Sequence, residues 1–256
     1  MKMISWNVNS IKARKEIVLD WLESHKPDVA FLQELKTDGE HYPFDEIEAL
    51  GYVSEVNGQK GYAGVATLVK KGIEYTLISK ALLEEPEEQA RFVEVEIDGI
   101  RMINIYAPNG NPQPSEKYDY KLRWYQKLED KLSTYMRNET PFLIGGDFNI
   151  IPENKDCYDP NAWQGDALFT KEIRDIYRRM INSGMVDAFR VFDSNALNYT
   201  FWDYQAGAWQ RNNGIRIDHF LLSPYVTDRL KGCVIDKEPR ALDKPSDHVP
   251  VILEIN

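Results

Sequence analysis

Apolar and polar positions along this chain switch repeatedly between a two-residue period and a three-to-four-residue period. The opening MKMISWNV is apolar on alternate positions and predicts a strand. Ile17 to Leu22 repeats apolar residues at helical spacing and stops before His25-Lys26-Pro27, as a helix should. Asp28 to Gln33 is almost continuously apolar, the pattern of a strand buried on both faces. Ala63 to Val69, Phe92 to Ile97 and Arg101 to Ala107 predict further strands, the last two joined by an Asp98-Gly99 turn. A long helix is predicted from Tyr118 to Arg137, with Leu122, Tyr125, Leu128 and Leu132 as its apolar stripe. Phe142 to Gly145 reads as a strand, Lys171 to Ser183 as a second helix, and Tyr199 to Trp202, Arg216 to Ser223 and Val249 to Ile255 as closing strands. No repeat, low-complexity tract or long linker interrupts the series, so one domain over 1–256 is the simplest organisation. Mixed hairpins and helices suggest two packed sheets with helices outside.

Composition narrows the class. With 256 residues, 43% of them hydrophobic, the chain can build a large core. Cys157 and Cys233 are its two cysteines; without a C-x-x-C pair, a zinc ribbon or thioredoxin-type motif is excluded and two reduced thiols are expected. The first residues hold no apolar stretch of signal-peptide length, and no run of about 18 apolar residues marks a membrane span. A cytoplasmic protein is the expectation. The net charge of -10 argues against indiscriminate nucleic-acid binding but not against a carboxylate-built metal site. Basic residues do cluster: Lys12, Arg14 and Lys15; Lys117, Lys121 and Arg123; Arg174, Arg178 and Arg179; Arg211 and Arg216.

Chemistry is concentrated where polar residues end apolar strands, a common design for sites on α/β scaffolds. Five places stand out: Asn7-Val8-Asn9; Gln33-Glu34; Tyr106-Ala107-Pro108-Asn109; Gly145-Gly146-Asp147-Phe148-Asn149; and Arg216-Ile217-Asp218-His219 together with Ser246-Asp247-His248-Val249-Pro250. Each alone is a plausible turn. Together they offer hard oxygen ligands, amides and an imidazole, which suits Mg²⁺ chemistry. Glu34 and Asp247 are the natural carboxylates for a metal. Asn7 and Asn149 can orient a phosphate or a water without adding charge. Asp147 can act as general base, His248 with Asp218 forms a carboxylate–imidazole pair, and Tyr106 offers a phenolic donor. The set fits in-line attack of water on a phosphodiester. With no G-x-S-x-G, Walker loop or G-x-G-x-x-G, direct hydrolysis is favoured over a covalent intermediate.

At these residues the chain resembles the exonuclease III family of DNA-repair nucleases, within the endonuclease/exonuclease/phosphatase superfamily. The matching segments are SWNVNSIKAR (5–14), PDVAFLQELK (27–36), GYAGVA (61–66), INIYAPNG (103–110), GGDFNI (145–150), GIRIDHFLLS (214–223) and KPSDHVPV (244–251), in the family's order. The resemblance implies a four-layered α/β sandwich, two mixed β-sheets face to face with helices outside. It implies that Asn7 and Glu34 bind Mg²⁺ (Mn²⁺ as a substitute), with Asp247 close by. Asp147 would activate the water or protonate the leaving group, Asn149 would position the scissile phosphate, Tyr106 and His248 would bind it, and Asp218 would orient His248. Asn109 would line the pocket and Arg91 would touch the DNA backbone, with Arg216 a further basic contact. Trp202 and Trp209 would be presented at an abasic-nucleotide pocket, core packing being the alternative for Trp202. Gln205 departs from the pattern, standing where the family often has Arg. The segment Pro152 to Thr170, with Tyr158 and Trp163, is expected as a loop beside the DNA that tunes what fits.

The expected partner is duplex DNA with abasic sites or 3′ ends, acted on by a monomer. The alternatives are a 3′-end specialist with little abasic activity, a superfamily phosphatase or phosphodiesterase for RNA, inositol phosphates or lipids, and a silent DNA-binding module. The intact set of acids, amides and His248 speaks against the last.

Overall fold

A computed structural model describes every residue except Glu85, Glu87 and Ala196. Along the chain run β1 (Lys2–Asn7), α1 (Lys15–His25), β2 (Val29–Gln33), α2 (Phe44–Ala49), β3 (Tyr52–Asn57), β4 (Val65–Lys70), β5 (Thr76–Ser79), β6 (Phe92–Ile97) and β7 (Ile100–Tyr106). Then come α3 (Glu116–Arg137), β8 (Phe142–Asp147), α4 (Lys171–Asn182), β9 (Val186–Asp187), α5 (Ala188–Phe192), β10 (Asp218–Leu222), α6 (Pro224–Thr227), β11 (Leu230–Ile235) and β12 (Val251–Ile255).

The strands form two six-stranded sheets, ordered β11-β12-β1-β2-β4-β3 and β5-β6-β7-β8-β10-β9. Each contains one parallel pair at its centre, β1 with β2 and β7 with β8, among antiparallel neighbours. Inward-facing Met3, Phe31, Val65 and Val69 of one sheet meet Val93, Val95, Met102, Leu143 and Phe220 of the other. Ile103, Ile105 and Ile144 point the opposite way, onto Trp124, Tyr125, Leu128 and Leu132 of α3 and Ile173 and Met180 of α4. On the other flank Ile4, Ala30 and Leu68 pack beneath Val18, Trp21 and Leu22 of α1 and Ile47 of α2. Two sheets with helices on both outer faces make four layers, as the resemblance implied. No helix among the described residues is long and apolar enough to cross a membrane.

Helix α3 starts two residues before the predicted Tyr118, because the Ser115 hydroxyl accepts the Tyr118 N–H and caps it. Its buried face carries an unpredicted Lys121. Tyr199 to Trp202 is not a strand: only Phe201 makes isolated bridges, to Ile215 and to His248. The edge strands β5 and β11, largely solvent-facing, lack the continuous apolar face that betrays the central ones.

Candidate active site

The registers bring the predicted polar positions to one end of both sheets. Asn7 ends β1 opposite Gln33, which ends β2, so Glu34 emerges beside Asn7. Across the sandwich Tyr106 ends β7 opposite Asp147 at the end of β8, and Asp147 faces Asp218 at the start of β10. Close approach dictates the two glycines before Asp147: a Cβ on Gly145 would lie 2.3 Å from the Phe220 ring, and one on Gly146 would lie 1.9 Å from the Ile105 carbonyl oxygen. Glu34 and Asn149 both adopt left-handed backbone, at φ 58° and 49°, which turns each chain sharply off its strand.

Hydrogen bonds then join the sheets at this end. The Asn7 amide donates to Glu34 Oε2 at 2.8 Å and to Asp147 Oδ2 at 3.0 Å. Asp147 Oδ1 accepts the Asn149 N–H at 2.8 Å. Asn149 is held in turn: its amide donates to the Ala107 carbonyl at 2.9 Å and its Oδ1 accepts from Asn109 at 3.2 Å. His248 Nδ1 lies 2.8 Å from Asp218 Oδ2, and His248 Nε2 lies 3.8 Å from Asp147 Oδ2. The edge of the imidazole ring rests on Phe201, centroids 5.0 Å apart. Glu34, Tyr106, Asn109, Asp147, Asn149, Asp247 and His248 all line one cleft of about 430 Å³.

The cleft is electrostatically graded. Burial pushes the Asp147 carboxyl up to about 7, against the pull of His248. Burial works to lower the His248 pKa, but Asp218 and Asp147 outweigh it and hold it at about 10. His248 is therefore an imidazolium at neutral pH. Burial and the neighbouring Glu34 and Asp147 keep Tyr106 a neutral phenol. Burial also works to raise the Glu34 pKa, yet Lys36, 2.9 Å from Glu34 Oε1, holds it below the usual range.

An anionic corner beside an imidazolium and a phenol is the arrangement a phosphodiester would require, and the comparisons with known proteins agree with it. Residues 4–248 match the model of the endonuclease/exonuclease/phosphatase family. The chain belongs to that family, in its exonuclease III branch. Exodeoxyribonuclease III of Haemophilus influenzae is 35% identical over 99% of both chains. An AP endonuclease from Archaeoglobus fulgidus, 35% identical, superposes with a TM-score of 0.94 over 100% of this chain and 99% of that one. A 3′ phosphatase from Neisseria, solved with a product DNA hairpin, is 34% identical with a TM-score of 0.90 over 100% of this chain and 99% of its own. This exonuclease III-type protein is thus a hydrolytic nuclease.

The family depends on a divalent metal, and the donors here fit one. Glu34, Asp147 and Asp247 offer carboxylate oxygens to the same cleft, hard ligands of the kind such ions take. Glu34 already receives a cationic group, the Lys36 ammonium. Asp147, Asp218 and His248 also offer atoms within 4.8 Å of one another. Because Asp218 occupies His248 Nδ1, that trio is better suited to holding a proton than an ion. Asn7 presents its N–H₂ to the two carboxylates, while its oxygen accepts the Asn9 N–H at 3.0 Å. Its amide oxygen faces away from Glu34 in this arrangement.

Two expected DNA contacts prove structural. Arg216 is 1% exposed. It pairs with Asp156 at 2.7 Å and with Asp187 at 2.8 Å, and donates to His219 at 3.0 Å, so it has no route to a phosphate. Trp202 is fully buried beneath Trp209, packed edge to face at 4.8 Å, and its indole N–H is spent on Asn212. Trp209 is half-buried on that stack. Arg91 lies over the Tyr106 ring at 4.9 Å and donates to the Tyr106 carbonyl at 3.2 Å.

Sequence reasoning passed over several residues. The Lys36 ammonium, besides pairing with Glu34, donates to Asn9 Oδ1 at 2.6 Å; its signal was its place two residues after Glu34 in the LQE-x-K segment. The Thr200 hydroxyl accepts the N–H groups of Ile217 and Asp218 and so fixes the start of β10; nothing in the sequence marks it. Lys121 is fully buried, its ammonium donating to the carbonyls of Asn109 at 3.0 Å, Asn149 at 2.7 Å and Ala167 at 2.9 Å. It ties together the loop after β7, the loop after β8 and the 152–170 segment.

Proposed function

We propose that this chain is a Mg²⁺-dependent DNA-repair phosphodiesterase, working as a cytoplasmic monomer whose single catalytic unit spans 1–256. Its substrates are duplex DNA with abasic sites, cut on the 5′ side, and blocked or frayed 3′ ends. The observation that carries the reading is the sharing of one cleft by the Asp147 carboxylate, the His248–Asp218 pair, Tyr106, Asn149 and Glu34. When bound, Mg²⁺ supplies charge neutralisation at the phosphate and the leaving oxygen, with Glu34 and Asp247 as its carboxylate ligands and the Asn7 oxygen as a third donor if its amide turns.

The chain's own residues do the rest. The His248 imidazolium, held by Asp218, and the Tyr106 phenol donate to non-bridging phosphate oxygens. Asn149, pinned by Ala107 and Asn109, fixes the phosphate with its amide. Asp147, with a pKa near neutrality, accepts a proton from the water as its oxygen adds to phosphorus. The bond from phosphorus to the 3′ oxygen breaks, that oxygen departs with the bonding pair, and a solvent water then protonates it while Asp147 keeps the proton of the attacking water. Asn109, in the cleft, and Arg91, on the Tyr106 ring, would contact the backbone of the bound strand.

The test is cleavage of a duplex with one internal abasic analogue, beside a nicked duplex with a blocked 3′ end, each in Mg²⁺ and in EDTA. Both should be cut only with Mg²⁺, and Asp147→Asn and His248→Ala should each lose at least ~100-fold in rate with the fold intact. Near-normal turnover in either variant would overturn the mechanism. Processing of the 3′ end alone would make the protein a 3′-end specialist.

A further inference from the structure

Gln33 ends β2 opposite Asn7 and just before Glu34, yet it lies beneath the cleft and is fully buried. Strand alternation puts it on the inward face with Phe31, and puts Asn104 on the inward face of β7 between Met102 and Tyr106. The two side chains meet in the gap between the sheets. Gln33 Nε2 donates to Asn104 Oδ1 at 2.8 Å and to Ser5 Oγ on β1 at 3.1 Å. Asn104 Nδ2 crosses the other way, donating to the Ala66 carbonyl of β4 at 2.9 Å and to the Leu32 carbonyl of β2 at 3.4 Å. Asn104 pairs in register with Gly145, and Tyr106 with Asp147, so this polar contact sits one layer of side chains below the catalytic one. Ser5, two residues before Asn7, marks the same level on the first sheet.

Resting on the nuclease reading above, we propose that Gln33 and Asn104 are positioning residues, whose bond sets how one sheet lies on the other and so aligns the two halves of the site. The division of the site is the first argument. Asn7, Glu34 and Asp247 come from β1, the end of β2 and the segment before β12, all of the first sheet, whereas Tyr106 and Asp147 end β7 and β8 of the second. Hydrolysis needs both sets at once, and a displacement of about 1 Å between reacting groups costs on the order of 100-fold in rate. Directionality is the second. Below the pair the sheets meet through Met3, Phe31, Met102 and Leu143, apolar contacts that can slide and repack. Hydrogen bonds are short and angle-dependent, so they fix a lateral offset that apolar packing leaves loose. Energetics is the third. Gln33 Oε1 is buried and meets no donor among the described residues. Such a layer is a poor way to gain stability, because an apolar pair of similar shape would fill the space without stranding an acceptor. Leverage is the fourth. One peptide separates Gln33 from Glu34, whose backbone is held at φ 58°, and one residue separates Asn104 from Tyr106. An offset at this layer therefore reaches the cleft with almost no chain to absorb it.

The test compares the whole chain with two variants, in cleavage of a nicked duplex and in urea melts. Gln33→Met keeps the length of the side chain and loses its amide. Gln33→Met/Asn104→Leu removes both amides from the layer. Each should lower kcat by at least ~10-fold while KM and the Mg²⁺ concentration for half-maximal rate stay within about threefold, because the metal donors keep their places in their own sheet. The urea midpoint of the double variant should equal or exceed that of the wild type, which no purely structural role would allow. The exchange Gln33→Asn/Asn104→Gln, which preserves the combined reach, should recover part of the rate. Should the double variant not fold, Gln33→Met carries the test alone. A folded variant with kcat within about threefold of wild type would overturn the proposal. So would a loss of rate matched by a fallen midpoint and reversed on cooling, or one matched by an equal rise in the Mg²⁺ requirement. In all these cases an active wild-type enzyme leaves the nuclease reading standing. A wild-type chain that cuts no duplex would sink that reading and the positioning role with it.

Discussion

Lys121→Met isolates what a buried ammonium does for the site. Methionine keeps most of the stem and loses all three donors. The carbonyls of Asn109, Asn149 and Ala167 would each lose a charge-assisted bond, at about 1–3 kcal/mol apiece, or roughly 3–9 kcal/mol together. Against this stands relief from burying the charge. Burial pushes the lysine down from 10.5 to about 7, despite Asp147 and Asp166, which corresponds to about 5 kcal/mol returned when the group is removed. The two terms offset each other to within a few kcal/mol, so the variant should fold. What it loses is position. Asn149 and Asn109 sit on the two loops the ammonium joins, and displacement of a positioning group by about 1 Å costs on the order of 100-fold in rate. The assay is steady-state cleavage of the nicked and abasic duplexes beside a urea melt. We expect kcat to drop about 100-fold, KM to stay within a few-fold, and Lys121→Arg to recover part of the loss. A Lys121→Met enzyme with kcat within threefold of wild type would show that the loops hold themselves, and the clamp would be ornamental.

Arg216→Met should destabilise the protein by about 3–5 kcal/mol, because it strands Asp187 in the interior and leaves Asp156 to Arg190 alone; a wild-type melt with weakened DNA binding would instead return Arg216 to the DNA surface. Glu34→Gln should raise the Mg²⁺ concentration needed for half-maximal cleavage by at least ~10-fold, and an unchanged titration would remove Glu34 from the metal site. His219 gives a pH test. Its Nδ1 accepts from Arg216, which fixes the neutral ring, and burial lowers its pKa to about 4 from 6.5. Between those values only the unfolded chain takes up the proton, so stability falls as pH drops from about 6.5 to 4, by about 3 kcal/mol across the window. His219→Gln should flatten that slope, and equal slopes by denaturant melts at several pH values would refute it.

The central strands were legible because burial on both faces leaves a dense apolar signature, as in VAFLQ of β2 and FLIGGD of β8. The site residues were legible for the complementary reason: polar residues that terminate such strands stand out against them. What stayed hidden depends on contacts distant in sequence. Arg216 follows the same basic spacing as an exposed Arg211, and only Asp156 and Asp187, arriving from other segments, turn it inward. Lys121 sits in a helix whose stripe is otherwise aromatic and aliphatic, and nothing local announces that three carbonyls await it. The tryptophans show the limit from the other side. Trp202, between Phe201 and Asp203, gives no local sign of which way it turns, and it is buried because Tyr199, Ala208 and Val249 surround it and Trp209 lies against its ring.

A chain of net charge -10 that handles a polyanion must confine its attraction to a small area. The structure supplies the means. Lys121 and Arg216 are withdrawn inside, so two of the cations apparent in the sequence do not face solvent. Those left beside the cleft are few and individually placed: Arg91 on the Tyr106 ring, Lys36 on Glu34, and the His248 imidazolium between Asp147 and Asp218. Each of these three is held against carboxylates or an aromatic face. An ion bound by Glu34 and Asp247 would change the sign of that corner only when present, which couples attraction for phosphate to readiness for hydrolysis. The net negative charge then works as selectivity, because a strand gains enough to stay only where a phosphate reaches the cleft.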